Sequence, residues 1–141
     1  MIRHIRTAVL AGAVLCAAWP AAAGPTEWWR INLDTRRNSV IEELIDQASV
    51  RNAAPGVVEF RLLMETSART KVWADATVQV ECAAARMQWM KLTFYGPAGE
   101  VLAEEQPSGW TPLPDGPLAR FVCKGERDGF VRRDGYTAPV G

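Results

Sequence analysis

The chain has 141 residues, 16 basic against 16 acidic side chains, one histidine and three cysteines. Balanced charge with no clustered basic face argues against nucleic acid or an anionic membrane surface as a partner. His4 and Cys16 fall within the first sixteen residues, so the chemistry open to the rest of the chain depends on what that segment is.

Arg3, His4 and Arg6 precede an uncharged apolar run from Thr7 to Trp19, and Pro20-Ala21-Ala22-Ala23 supplies the small residues a signal peptidase reads. Residues 1–23 therefore read as an export signal cut after Ala23. The run ends at Pro20, short of the roughly 20 residues a membrane-spanning helix needs. Leu15 before Cys16 is too bulky for a lipidation site, so Cys16 reads as part of the signal. The exported form would hold 118 residues, two cysteines, no histidine and 14 basic against 16 acidic side chains, placing it in the periplasm or at the cell surface. One domain over 24–125 is expected, followed by a flexible C-terminal tail over 126–141, where composition turns to charge, glycine and proline.

Cys82 and Cys123 would meet an oxidising compartment and are expected to pair. Lying 41 residues apart with no histidine, they supply neither the count nor the spacing for zinc, and no metal or cofactor is expected.

Period-two alternation runs through most of the chain from Trp28 to Ala103, the pattern of strands with one covered face. Trp29, Ile31 and Leu33 alternate with Trp28, Arg30 and Asn32. In Ser39 to Ala48, Ser39 with Glu42 fits a capping box and Ile41, Leu44, Ile45 and Ala48 a helical stripe, while the family likeness described below favours a strand ending near Asp46; periodicity alone leaves helix and strand open. Val58, Phe60, Leu62 and Met64 share one strand face. From Val72 to Cys82 the even positions share a face that carries Cys82, opposite Trp73, Asp75, Thr77, Gln79 and Glu81. Met90, Leu92 and Phe94 are expected on one face of the next strand, and Gly96-Pro97-Ala98-Gly99 turns it into a short strand at Val101 to Ala103. Asp115 fits an N-cap and Pro117 a first turn, with Leu118, Phe121 and Val122 at helical spacing before Gly125. The fold expected is α+β, an antiparallel sheet of about six strands with a short C-terminal helix on one face and one disulfide.

In order, Trp28, Ile45-Asp46-Gln47-Ala48-Ser49-Val50, Val57-Val58-Glu59-Phe60, Val80-Glu81-Cys82, Thr93-Phe94-Tyr95, Gly99-Glu100-Val101-Leu102, Trp110-Thr111-Pro112-Leu113-Pro114 and Phe121-Val122-Cys123 resemble the bacterial surface-adhesin protein E family. The likeness runs from about Trp28 to Cys123. It implies an antiparallel sheet with a C-terminal helix packed on it, and an envelope protein that binds other proteins, host matrix proteins among them.

Without histidine, Ser-His-Asp and Cys-His nucleophiles cannot be built, and Ser67 with Lys71 has the wrong spacing for a Ser-x-x-Lys dyad. The remaining enzyme reading is a glycan hydrolase using Glu42-Glu43 or Glu104-Glu105. Neighbours on a strand point to opposite faces, so neither pair converges on one bond. Asp46 and Ser49 suit a turn in which side-chain oxygens take backbone amides. Trp73 and Trp89 are the candidate protein-contact residues. Alternation places both opposite the Cys82 face, where they would meet as a cross-strand pair or be covered by a loop or a second subunit. The expectation is a non-enzymatic exported envelope protein binding a host matrix or envelope protein and able to form a homodimer. A periplasmic inhibitor or assembly factor is the alternative.

Overall fold

The computed structural model describes residues 25–139. The expected export signal, with His4 and Cys16, lies outside the described residues.

Six consecutive strands form an antiparallel meander: β1 (Trp28–Arg36), β2 (Ser39–Ala54), β3 (Val57–Ser67), β4 (Lys71–Glu81), β5 (Arg86–Tyr95) and β6 (Val101–Glu105). Two two-residue strands complete the sheet. β7 (Thr111–Pro112) pairs with β5 beside β6, and after α1 (Pro117–Val122) the chain returns as β8 (Val131–Arg132) against β1. Among the described residues the sheet thus has eight strands where about six were expected. Two residues are too few to show alternation, so β7 and β8 left no periodic trace.

β2 resolves the ambiguity of Ser39 to Ala48 in favour of a strand. Its residues pair with β1 on one side and β3 on the other, and those two ladders satisfy the backbone groups a local helix would have satisfied internally. Asp46 and Ser49 stitch an irregularity where β2 slips against β3 between Asp46 and Arg51. Asp46 Oδ1 accepts from the amides of Glu27 (2.8 Å) and Ala48 (3.1 Å), and Ser49 Oγ donates to the Asp46 carbonyl (2.7 Å) and accepts from the Arg61 amide (2.8 Å).

The two sheet faces differ. Ile45, Phe60, Leu62, Ala76, Val78, Val80, Met87 and Leu92 form the main core with Phe121 of α1; this is the helix face. Cys82 bonds Cys123 there, with Cα atoms 5.5 Å apart, and joins the residue after β4 to the C-cap of α1. The N-cap is Gly116, with no side-chain cap. Asp115, expected to cap the helix, instead reaches Lys124 at 3.6 Å. On the opposite face Trp28, Leu44 and Leu63 form a smaller cluster against Trp73, Tyr136 and Ala138.

The stretch after Gly125, expected to be a flexible tail, makes specific contacts. Arg127 donates to the Phe121 carbonyl (3.0 Å) and to Gln47 Oε1 (2.6 Å). Phe130 meets Phe121 edge-on at 5.5 Å, and Tyr136 meets Trp28 in the same way at 5.8 Å. Aromatic anchors scattered singly through a charged, glycine-rich stretch form no periodic pattern, so composition concealed them. Among the described residues no helix is long and apolar enough to cross a membrane.

Candidate functional site

A helix of six residues spans about 9 Å, whereas an eleven-residue strand such as β3 spans about 36 Å. α1 therefore covers only part of its face. Two adjoining cavities open beside it. One, of about 210 Å³, is lined by Ile31, Leu62, Met87, Trp89 and Leu118 together with Glu43 and Met64. The other, of about 350 Å³, is lined by Ile41, Thr66, Val72, Trp73, Ala74 and Phe94, again with Glu43 and Met64. Their shared residues make them one groove, and among the described residues Glu43 is the only charged one lining either part.

Glu43 sits on the helix face because it alternates with Leu44 and Glu42 and registers with Met64 of β3 and Asn32 of β1. Among the described residues its carboxylate has no ion-pair or hydrogen-bond partner. It is half-buried in an apolar strip, the setting in which charge is costly unless paired.

The acidic side chains that β2, β3 and β4 place on the opposite face are all engaged. Glu42 meets Arg133 and, at 3.5 Å, Arg30. Glu59 accepts from Arg51 Nε (3.0 Å) and from Gln79 Nε2 (2.8 Å), and Gln79 accepts in turn from Gln88 (2.9 Å). The Gln79 hydrogen bond, followed by Arg51, lowers the Glu59 carboxyl below the ordinary glutamate value. Arg61 holds Asp75 through two bonds of 2.9 and 2.7 Å, which raise the guanidinium above its ordinary value. Glu65 takes Lys71 at 3.0 Å and the Trp73 indole at 3.1 Å, and Glu81 takes Arg86.

The two candidate tryptophans lie on different faces. β5 slips against β4 between Thr77 and Val78, leaving Met90 as the extra residue, so Trp89 registers with Val78 while Leu92 registers with Ala76. The bulge reverses the alternation at that point. Trp89 therefore packs against the main core and lines the groove, and Met90, expected inside, is 38% exposed. Trp73 lies across from Tyr95 rather than Trp89, bonded to Glu65 and packed near Tyr136. The cross-strand pair expected of Trp73 and Trp89 does not form.

Glu42 and Glu43 diverge to opposite faces. Glu104 and Glu105 are exposed on β6, across from Thr93 and Leu92. Sequence reading missed the groove, because Met64, Phe94 and Ile41 look like ordinary core positions. The one signal available was Glu43 itself, an acid where alternation calls for an apolar side chain. No family model, curated protein or solved structure matches this chain.

Proposed function

We propose that this chain is a non-enzymatic exported envelope protein that acts by binding a protein partner, in the manner of the surface-adhesin E-like proteins its sequence resembles. The observation that carries the reading is the apolar groove left open beside α1, lined by Trp89 in one part and bordered by Trp73 in the other, the two aromatics expected to be contact residues. Large apolar openings with few polar groups are where ligands and anchor side chains seat. The partner is a host matrix or envelope protein. Self-association belongs to the same reading, since β6 is a five-residue edge strand with Val101 and Leu102 more than half exposed.

The test is binding of the purified protein to immobilised matrix proteins and to envelope extract at micromolar concentration, with a Phe94→Lys variant that obstructs the groove. Saturable binding that the variant loses is expected. No saturable binding, or binding the variant keeps, removes the groove from the reading. Protease accessibility on intact cells separates a surface location from a periplasmic one, and sedimentation at high concentration checks the dimer.

A further inference from the structure

The groove carries information about what fills it. Among the described residues its lining is apolar apart from the Thr66 hydroxyl and the carboxylate of Glu43; that carboxylate is half-buried and unpartnered, while every acid on the opposite face of β2, β3 and β4 is engaged. The two cavities share Met64 and are displaced along β3 by one two-residue step, from Leu62 and Met64 to Met64 and Thr66. Such a step is about 6.7 Å, the same-side repeat of an extended peptide.

We propose that the groove binds an extended peptide segment presenting two apolar side chains two residues apart, together with a lysine or arginine whose cation pairs with Glu43. The proposal rests on the protein-contact reading above and narrows it to a ligand chemistry. Bulky apolar side chains at positions i and i+2 fill the two cavities. A basic side chain two residues further along lies on the same side of the peptide, and its long stem brings the charge back to Glu43 across the apolar lining. Apolar contacts supply affinity and the ion pair supplies discrimination, because an acidic side chain at that position would be desolvated beside a like charge.

The test uses a capped five-residue peptide with leucine, phenylalanine and arginine at its first, third and fifth positions and threonine between them, and a second peptide with glutamate in place of the arginine. Titration is followed by NMR amide shifts on the wild-type protein and on Glu43→Gln and Glu43→Lys. The expected result is a preference of about tenfold or more for the arginine peptide in wild type, lost in Glu43→Gln and reversed in Glu43→Lys, with shifts confined to residues lining the groove. Native shift dispersion of each variant confirms its fold.

Equal affinity for the two peptides overturns the proposal while leaving the matrix and envelope binding assay to decide the broader reading. Absence of binding to either at millimolar concentration overturns it too. So does groove shifting that follows protein concentration with rising mass in sedimentation, which would assign the face to a second copy of this chain.

Discussion

Replacing both cysteines, Cys82→Ser with Cys123→Ser, separates what the disulfide does from what packing does. The bridge closes 41 residues of chain, and the loop-entropy estimate for that length is about 4 kcal/mol. That effect acts on the unfolded chain, because α1 keeps other anchors in the folded one. Phe121 is 1% exposed, its ring lies 5.9 Å from Trp29 and 5.5 Å from Phe130, and Arg127 stacks 3.7 Å above it. The double variant should therefore keep the native near-UV circular dichroism and the native amide shifts of residues 117–122. With a urea slope of about 2 kcal/mol per molar, its unfolding midpoint should fall by about 2 M. Urea unfolding followed by tryptophan fluorescence measures this. A loss below about 1 kcal/mol would refute the loop-entropy argument. Random-coil shifts for α1 in buffer would show instead that the bond itself holds the helix in place.

Three other outcomes follow from the geometry. Deleting residues 126–141 uncovers Trp28 and Phe121 and removes β8, so stability should fall by about 3 kcal/mol or more; an unchanged urea midpoint would show that these contacts contribute nothing. The Glu59 carboxyl is lowered in the folded state, so its contribution is present at neutral pH and is lost as pH falls below the unfolded value of about 4.3 and through the lower folded one. Glu59→Gln should flatten the acid limb of a stability–pH curve, and an unaltered limb would count against the Gln79 and Arg51 bonds. Burial raises the Tyr136 phenol to about 12, so its contribution is present below the unfolded value of about 10 and is lost as pH rises through the folded one. Absorbance titration of wild type against Tyr136→Phe should reveal one late tyrosinate, and its appearance near the unfolded value would mean that the ring is not buried.

How far the sequence could be read depended on whether local pattern or distant pairing decided each element. The alternation of Val58 to Met64 and Val72 to Cys82 placed β3 and β4 and the core side of the disulfide, since a central strand covered on one face imposes period two directly. β2 stayed ambiguous because its stripe fits helix and strand alike, and only the two flanking ladders decide. The face of Trp89 was misread through one bulge at Met90, which shifts every residue N-terminal to it on β5 to the other side. The contacts of the C-terminal stretch were not legible because Arg127, Phe130 and Tyr136 act singly across long sequence separations. The divergence of Glu42 and Glu43 to opposite faces was legible from strand geometry, but the contrast between a paired Glu42 and a Glu43 with no partner among the described residues needed coordinates.

That contrast makes Glu43 a position where stability and recognition pull apart. Replacing Glu43 by leucine would extend the apolar strip of Ile41, Ile45, Leu62 and Met64, adding buried hydrocarbon and removing a half-desolvated charge. On both counts Glu43→Leu should stabilise the fold, by about 1–2 kcal/mol, as expected where an unfavourable side chain serves a site rather than the core. Urea unfolding of the variant against wild type checks the sign, and Glu43→Gln should move less because it keeps a polar group in the same space. A destabilised Glu43→Leu would mean that the carboxylate serves the fold through solvent or a contact of its own. The basis for a cationic ligand would then disappear with it.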